Sequence, residues 1–429
     1  METEADDIAL AVLEEFRNLP AKRKPAVRDN GLREWVPLSG IVVKGPNFLK
    51  CVALATGMKC LPASKLPQAN GVALHDWHAE VLTLRAFNRF LLDECRRLAQ
   101  DSSAESEFLQ RRRTQHEQPP TTANSTQPFT WRKDLTLHMY CSEAPCGDAS
   151  MEIIISSQPD ATPWPTTTTI PPPTTGVGVG QQTPLLLGRG YFSHLGIVRR
   201  KPARADAPPS HSKSCSDKLA LKQCTSLLSS LPSLFVSPAG VYLSTLVLPS
   251  SQYSAVACHR CFGIERGEEE EDREEEGDRE EEGEGCRPGG YGFHPFRVEV
   301  TGREFEFSRR GIQTADEGGE IKVAASNLAV AWTRGGEVEE GLIGGVLQGR
   351  KTFDVKGASL TSRRRMWAAA VEVAALLGEE GISGDLARGT YDGVKEGGLL
   401  ATRRTVKEDV RGEALKGWQR NTGDGAFSV

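Results

Sequence analysis

Apolar residues recur at regular intervals along the chain, and the interval changes from one segment to the next. Ile8, Val12, Leu13 and Phe16 fall at helical spacing. This spacing predicts a short amphipathic helix over residues 6–19, because side chains three and four positions apart share one face of a helix. A helix is therefore the first element that the pattern predicts.

A hairpin and a long helix are predicted next. Residues 39–43 and 49–55 are largely apolar, and the sequence Gly-Pro-Asn at 45–47 lies between them. Two apolar runs around turn-forming residues predict paired strands. From Val81 to Leu98, apolar residues follow three- and four-residue steps. That pattern indicates a helix with one buried face that ends near Gln100.

Strands and helices continue to alternate in the rest of the chain. Residues 135–141, 241–248 and 328–332 have strand-like patterns, whereas helical patterns begin at residue 214 and extend over 362–377. Alternation of this kind is typical of α/β domains. We therefore expect a mixed sheet flanked by helices.

Four segments interrupt these patterns and are predicted to be disordered insertions. They are polar, rich in Thr and Pro, or strongly acidic, so they cannot bury enough apolar surface to order themselves. They cover residues 101–130, 159–184, 199–212 and 265–287. With these segments set aside, residues 1–429 are expected to form a single domain.

The charge of the chain is unevenly distributed. The formal net charge is −5, but the segment from Glu265 to Glu284 alone carries −11, so the remainder carries +6. A mildly basic body suits an anionic partner such as a nucleic acid. An ordinary protein surface would explain so small an excess equally well.

The compartment can be inferred from the cysteines and from the apolar runs. No run approaches the roughly 18 residues that a membrane-spanning helix needs, and the acidic residues after Met1 do not resemble a signal peptide. Ten cysteines are then expected to be reduced thiols or metal ligands. We expect an intracellular protein, cytoplasmic or nuclear, with no membrane association and no obligate protein partner.

Three segments carry residues suited to zinc chemistry. His78 and Glu80 stand at the predicted start of a helix, and Cys146 and Cys215 also precede helical patterns. A catalytic zinc site uses three protein ligands and leaves one position open for water. His78, Cys146 and Cys215 could supply them, while Glu80 could act as the general base. Zinc nucleobase deaminases have this His-x-Glu signature, followed by Pro-Cys-x-x-Cys.

The match to that signature is incomplete at one position. Residue 149 is Ala where the second cysteine would stand, and Cys215 is the substitute, 69 residues beyond Cys146. With this displaced cysteine, Trp-His-Ala-Glu at 77–80, Pro-Cys-Gly-Asp-Ala-Ser-Met at 145–151 and Ser-Cys-Ser-Asp-Lys at 214–218 resemble the three motifs of the RNA-editing adenosine deaminase family. The likeness extends from about residue 32 to residue 427.

This resemblance implies a cytidine-deaminase-like mixed sheet flanked by helices, enlarged by a C-terminal α/β part that encloses a polyphosphate. In the family that polyphosphate is inositol hexakisphosphate, and Asp76 and Lys218 match a hydrogen-bond relay between it and the zinc site. The positions that match its donors are Arg85, Lys218, Arg363, Tyr391, Lys395, Lys407 and Trp418. Leu84 and Leu221 stand where the mRNA editors have arginines, so the donor set differs there.

Within the family, the Gly-Asp-Ala-Ser-Met sequence resembles the tRNA branch, which forms inosine at adenosine-37 of alanine tRNA. The implied reaction is the hydrolytic conversion of adenosine to inosine in tRNA. Two alternatives remain, an editor of another structured RNA and a catalytically inactive RNA-binding subunit. Family members that edit double-stranded RNA carry RNA-binding domains ahead of the catalytic domain, and the position of the His-x-Glu motif leaves no room for one. The intact set of four site residues disfavours the inactive subunit.

Overall fold

The computed structural model of the protein describes residues 2–112, 127–157, 186–187, 194–201, 207–263, 288–314 and 322–429. Its strands are β1 (Arg33–Trp35), β2 (Leu38–Gly45), β3 (Phe48–Thr56), β4 (Leu109–Arg111), β5 (Phe129–Trp131), β6 (Thr136–Cys141), β7 (Leu186–Leu187), β8 (Arg199–Arg200), β9 (Leu243–Pro249), β10 (Arg297–Thr301), β11 (Val323–Ala325), β12 (Ala329–Thr333), β13 (Glu339–Ile343) and β14 (Val346–Leu347).

The α-helices within the same residues are α1 (Glu4–Asn18), α2 (Ala79–Gln100), α3 (Met151–Ser156), α4 (Cys215–Thr225), α5 (Ala255–Phe262), α6 (Arg309–Thr314), α7 (Arg363–Leu377), α8 (Glu380–Leu386), α9 (Tyr391–Lys395) and α10 (Ala401–Glu413). None of these described helices combines the length and the apolar character needed to cross a membrane.

A mixed sheet of eight strands forms the centre of the described structure. Its strand order is β10-β9-β6-β2-β3-β12-β13-β14. β9 pairs in parallel with both β6 and β10, and the other neighbours pair antiparallel. The predicted hairpin is present as β2 and β3. The expected α/β class, with a mixed sheet flanked by helices, is therefore confirmed.

Helices cover both faces of the sheet, which explains why its central strands are nearly continuous in apolar residues. Neighbouring residues of a strand point to opposite faces. Val42 accordingly packs with Phe16 of α1, whereas Ile41 packs with Phe87 of α2. The predicted first helix is confirmed as α1, and Thr3 caps its N-terminus.

The C-terminal part adds both strands and helices to this centre. β12, β13 and β14 extend the sheet beyond β3. α7 packs against α2, and α10 packs against α4. Val406 and Val410 of α10 are buried with Leu221 of α4 and with Tyr291. These contacts bring the C-terminal helices close to the start of α4.

The insertion predicted at 101–130 is shorter than the sequence suggested. β4 pairs antiparallel with β5, so that Leu109 lies opposite Trp131, and Phe108 and Phe129 are buried beside them. The prediction was wrong at both ends of the segment because a few apolar residues within a polar composition are enough to join the core. Residues 113–126 lie outside the described residues.

The prediction of a disordered insertion at 199–212 was also wrong for those of its residues that the structure describes. β8 lies within it, and Lys201, Ser210 and Ser212 are buried. The polar groups of these residues form hydrogen bonds inside the protein. Such partners cannot be inferred from the composition of the segment. Residues 202–206 lie outside the described residues. The other two predicted insertions, 159–184 and 265–287, lie wholly outside them.

Candidate active site

The His-x-Glu motif lies where the chain enters α2. Ala79 is the first residue of the helix, and its N–H donates to the carbonyl of Gly57 at 2.9 Å. Gly57 has a φ of 143°, and a Cβ there would lie 2.1 Å from the carbonyl oxygen of Trp77. Only glycine allows the two segments to approach this closely. The turn after β3 therefore fixes the position of the motif.

Asp76 orients the imidazole of His78. Oδ1 of Asp76 accepts the backbone N–H of His78 at 3.0 Å and lies 2.8 Å from Nδ1 of its ring. A hydrogen bond at one ring nitrogen sets the tautomer and leaves the other nitrogen, Nε2, available as a ligand or acceptor. The carboxylate thus sets the direction in which His78 can act.

Glu80 is buried at the start of α2, with 7% of its surface exposed. Burial raises the pKa of its carboxyl group, and the negative charge of Cys146 raises it further. A carboxyl group whose pKa has moved towards neutrality can both accept and return a proton. Glu80 has the properties expected of the predicted general base.

Cys146 and Cys215, far apart in sequence, lie side by side. The backbone N–H of Cys215 donates to Sγ of Cys146 at 3.4 Å, and the N–H of Ser216 donates to the Cys146 carbonyl at 3.1 Å. Gly147 has a φ of 111°, and a Cβ there would lie 2.3 Å from Oγ of Ser214. Glycine at this position permits the close approach of the two segments.

The two cysteines shift each other's pKa in opposite directions. The hydrogen bond from Cys215 holds the pKa of Cys146 well below its usual value. Burial, together with that same hydrogen bond, raises the pKa of Cys215 well above its usual value. Ionisation is therefore more favourable at Cys146 than at Cys215. Thiolates are the form of cysteine that binds metals.

A residue absent from the sequence-based prediction connects these parts. Nζ of Lys201 lies 2.8 Å from Oδ2 of Asp76 and 3.2 Å from Sγ of Cys215. Lys201 is 3% exposed, and it falls in the segment that was predicted to be disordered. In the sequence it follows two arginines, so nothing there distinguishes it from a solvated basic run.

Asp76 is the shared partner of two lysines. Its Oδ2 also accepts hydrogen bonds from Nζ of Lys218 and, at 2.5 Å, from Oγ of Ser212. Burial opposes ionisation of this carboxyl group, but the charges of Lys201 and Lys218 outweigh burial and hold the pKa of Asp76 well below its usual value. Asp76 and Lys218, the two residues predicted to form a relay, are therefore in contact, and Lys201 contacts the same carboxylate.

A second ionic cluster supports the segment that carries Cys146. Arg260 of α5 donates to the carboxylate of Asp148 and, at 2.6 Å, to that of Glu152. Oδ2 of Asp217, two residues beyond Cys215, accepts the backbone N–H of Arg199 at 3.0 Å. The ion pairs of Arg260 join α5 to α3 and to the segment after Cys146, and the hydrogen bond to Asp217 joins α4 to β8.

The donor groups of the site suit zinc. Across the described residues, no group of three or more His, Cys, Asp or Glu side chains is already arranged to hold a metal ion. The Nε2 of His78 is nevertheless not held by Asp76, and the lowered pKa of Cys146 favours its thiolate form beside Cys215. One imidazole and two sulfur ligands are a combination that zinc enzymes use. The chemistry of the donor set therefore fits the predicted zinc ion.

A basic cavity of about 640 Å³ lies on the other side of Asp76. Eleven Lys and Arg residues line it, against four Asp and Glu residues. All the predicted polyphosphate donors are among the lining residues, namely Arg85, Lys218, Arg363, Tyr391, Lys395, Lys407 and Trp418. This excess of positive charge suits a multiply charged anion.

Several cations of this cavity were not predicted from the sequence. Lys222, Arg403, Arg404, Arg411 and Arg420 also line it. Burial lowers the pKa of Lys222 and of Lys407 well below the usual value, and neighbouring cations lower both further. Helical spacing on α10 could have suggested Arg403 and Arg411, since they lie on the same face as Lys407.

The fold and these side chains define a class of protein. One imidazole, two cysteines and a buried glutamate are the residue set of the zinc deaminases that act on nucleobases. The adenosine-deaminase (editase) domain family matches residues 53–276. The chain belongs to this family, and the prediction of a deaminase enzyme is thereby confirmed.

Individual relatives are similar over different lengths. The tRNA-specific adenosine deaminase 1 of Schizosaccharomyces pombe is 36% identical over 97% of this chain and 95% of its own length. The protein of the same name from Saccharomyces cerevisiae is 33% identical over 57% of this chain and 58% of its own length. The double-stranded RNA-specific editase Adar of Drosophila melanogaster is 25% identical over 61% of this chain and 36% of its own length.

Replacing Lys201 by Met should destabilise the protein by about 3 kcal/mol, because it removes one partner of a buried carboxylate. The free energy of unfolding, measured in urea at pH 7, checks this expectation. Lys44→Met is the matched control, since Lys44 pairs with Glu4 where both side chains are about half exposed. It should cost less than about 1 kcal/mol. Equal effects of the two substitutions would contradict the role of Lys201.

Proposed function

We propose that this protein converts adenosine to inosine in tRNA by hydrolysis. The observation that carries the proposal is that buried Glu80 follows His78 by two residues and interacts electrostatically with Cys146, which lies beside Cys215. The tRNA substrate is supported by a relative named tRNA-specific adenosine deaminase 1 that aligns over 95% of its own length. Residues 1–429 would act as a single editase domain.

Alanine tRNA is the proposed substrate, with adenosine-37 beside the anticodon as the target. The Gly-Asp-Ala-Ser-Met sequence at 147–151 supports this choice through its likeness to the tRNA branch. Deaminases act on a base that is outside the stack, and an anticodon loop offers such a base at low cost. We propose that the protein works in the cytoplasm or nucleus, without a membrane or an obligate protein partner.

His78, Cys146 and Cys215 would hold a zinc ion. When bound, zinc lowers the pKa of a water molecule to about 7 and so makes it a nucleophile at neutral pH. Asp76 contributes by holding Nδ1 of His78 at 2.8 Å, so that Nε2 is the nitrogen presented to the metal. Lys201 balances the charge of the sulfur ligands through its contact with Cys215.

Glu80 would carry protons between the water and the adenine. Its carboxylate would accept one proton from the water that attacks C6 and pass it to the ring. It would then accept the second proton of the same oxygen and pass it to the departing amine, which leaves as ammonia. The raised pKa suits this double role, because a weaker acid holds the proton during the attack and still releases it afterwards. Burial also keeps bulk water from competing for the proton.

Inositol hexakisphosphate is the ligand we propose for the basic cavity. Seven more cations than carboxylates line the cavity, and a compact polyphosphate would neutralise them. Lys218 lines the cavity and also contacts Asp76. The ligand would therefore lie one side chain away from the residue that orients His78.

Sequencing of alanine tRNA before and after incubation with the purified protein tests the proposed function. We expect conversion of adenosine to inosine beside the anticodon. Glu80→Gln keeps the shape of the side chain but cannot accept a proton, and it should lower the rate by about 10²- to 10⁴-fold. A long RNA duplex serves as the comparison substrate. Faster conversion of the duplex would favour an editor of another structured RNA, and binding of tRNA without inosine formation would favour an inactive subunit.

Metal analysis tests the zinc proposal separately from activity. The unaltered protein should contain about one zinc ion per chain, since three ligands with an open position make one site. Cys215→Ser should lower that content markedly, because a serine hydroxyl is a poor zinc ligand. Cys224→Ser alters a cysteine of the same helix that lies outside the donor set, and it should retain zinc. Full zinc in Cys215→Ser would show that another residue is the third ligand.

Mass spectrometry of the acid-denatured protein tests the polyphosphate proposal. The unaltered protein should release inositol hexakisphosphate, and Lys407→Met should release less, because a partly buried cation of the cavity is lost. Lys416→Met removes an exposed cation after α10 and should leave the amount unchanged. Absence of any inositol phosphate from the unaltered protein would contradict the proposal.

A further inference from the structure

His75 is a buried histidine that the zinc and proton-transfer roles leave unused, and both of its ring nitrogens have partners. Its Nε2 lies 2.7 Å from Oδ2 of Asp424, and its Nδ1 lies 3.2 Å from Nδ2 of Asn421. Because a carboxylate can only accept, Nε2 carries the proton and donates to Asp424, whereas Nδ1 accepts from the amide of Asn421. Burial and the charge of Arg363 lower the pKa of His75 to about 4, so the ring is neutral at pH 7.

Asp424 lines a cavity that is otherwise suited to anions, and its hydrogen bonds explain why a carboxylate is present there. Its negative charge opposes the binding of an anion. Its Oδ1 accepts the N–H of Gly71 at 2.8 Å, and its backbone carbonyl accepts a hydrogen bond from Arg363 at 2.8 Å. Burial opposes ionisation of Asp424, but the hydrogen bond from His75 and the charge of Arg363 outweigh burial and lower its pKa. Asp424 therefore joins the end of the chain to the segment that leads into α2.

The backbone around Asp424 is fixed by the segment to which it belongs. This C-terminal segment, residues 418–427, contributes six lining residues to the basic cavity. The ring of Phe427 is buried and stacks on that of Tyr391, with centroids 5.2 Å apart and an angle of 15° between the planes. The carbonyl of Phe427 also accepts the N–H of Tyr391 at 3.0 Å. The carboxylate of Asp424 is thus presented to His75 from an anchored position.

The backbone connects His75 directly to the candidate zinc site. The carbonyl of His75 accepts the N–H of Leu61 at 2.9 Å, and its side chain is held by Asp424. Asp76 is the next residue, so it follows a residue that is fixed through both its backbone and its side chain. Oδ1 of Asp76 must stay 2.8 Å from Nδ1 of His78 to set the direction of that ring. The position of Asp76 therefore depends on what holds His75.

Building on the proposed function and its zinc site, we propose that His75 is a positioning residue whose hydrogen bond to Asp424 fixes the backbone from which Asp76 orients His78. His75 acts through its neighbour and contacts neither the proposed metal nor the base. A displacement of about 1 Å at a reacting group can lower a rate about 100-fold. Loss of the bond should therefore reach the chemistry. The C-terminal segment then serves the zinc site as well as the basic cavity.

Asp424→Ala tests this role in the full-length protein as purified with its zinc, because it removes the acceptor of the His75 ring. Zinc should pass to an added chelator about tenfold faster than from the unaltered protein. The kcat for inosine formation in tRNA should fall about ten- to a hundredfold. The KM for tRNA should change by less than about twofold, because no group that binds the substrate is altered.

The amount of inositol phosphate released by Asp424→Ala separates positioning from an effect on the cavity. Removing a carboxylate makes the cavity more positive, so the amount should equal that of the unaltered protein. A fall in kcat that accompanies loss of the ligand would show that Asp424 acts through the cavity, and it would overturn the role of His75.

Asp385→Ala is the matched control. Asp385 is 7% exposed, as Asp424 is, and it also accepts two hydrogen bonds, from the N–H of Leu399 at 2.9 Å and from Nε of Arg388 at 2.8 Å. It belongs to α8 and lies outside the set of described residues that line the cavity. Its replacement should leave the rate of zinc loss and kcat unchanged. A general effect of removing a buried carboxylate would appear equally in both variants.

His75→Gln and His75→Leu provide a rescue test on the other side of the bond. The amide nitrogen of Gln can reach the place of Nε2 and donate to Asp424, whereas Leu cannot donate. His75→Gln should keep kcat and zinc loss close to those of the unaltered protein, and His75→Leu should resemble Asp424→Ala. The double variant of His75→Leu with Asp424→Ala should be no slower than either single variant, because both act through one bond.

The outcomes separate this proposal from the proposed function. Thermal unfolding midpoints confirm that each variant folds, and Asp424→Asn, which keeps one accepting oxygen, replaces Asp424→Ala if that variant does not fold. Zinc loss and kcat like those of Asp385→Ala, or His75→Gln as impaired as His75→Leu, would overturn the positioning role while inosine formation stands. If the unaltered protein holds zinc but forms no inosine, the proposed function fails, and the rates of zinc loss still decide the role of His75.

Discussion

The ionised carboxylate of Asp76 is the group on which the rest of the site depends. It is buried, and the cost of burying its charge is offset by Lys201, Lys218, Ser212 and the backbone of His78. Removing one partner of a buried charge is far more damaging than removing an exposed pair. The four partners come from separate parts of the chain, so a single carboxylate brings together the start of α2, the segment before α4 and α4 itself.

The hydrogen bonds of Asp76 also connect the candidate zinc site with the basic cavity. Asp76 faces His78 through Oδ1 and Lys218 through Oδ2, and Lys218 lines the basic cavity. Cations such as Lys222 and Lys407 repel one another there, and burial prevents water from screening them. An anion in the cavity would relieve that repulsion. Asp76, which orients His78, and Lys218, which lines the cavity, thus belong to one hydrogen-bond network.

Local patterns predicted the elements, but they did not predict the contacts between them. Apolar spacing predicted α1, α2, the β2–β3 hairpin and α7. It did so because each of these elements buries at least one face in the core. The His-x-Glu motif and the two cysteines were found because their residue types are chemically distinctive. Lys201 and the β4–β5 pair were missed, because a lysine after two arginines and a few apolar residues in a polar segment take their roles from partners distant in sequence. Arg403 was also missed, although its helical spacing from Lys407 could have suggested it.

The pairing of Gly147 with Ser214 has a consequence for how this domain can vary. The two cysteines are held together by contacts within a few residues of each, including the bond from the Cys215 N–H to the sulfur of Cys146. The length of chain between them therefore matters little to their geometry. Doubling the length of a flexible connection costs only about 0.6 kcal/mol of closure entropy. The distance in sequence between these cysteines is free to drift over evolutionary time, while their distance in space stays fixed.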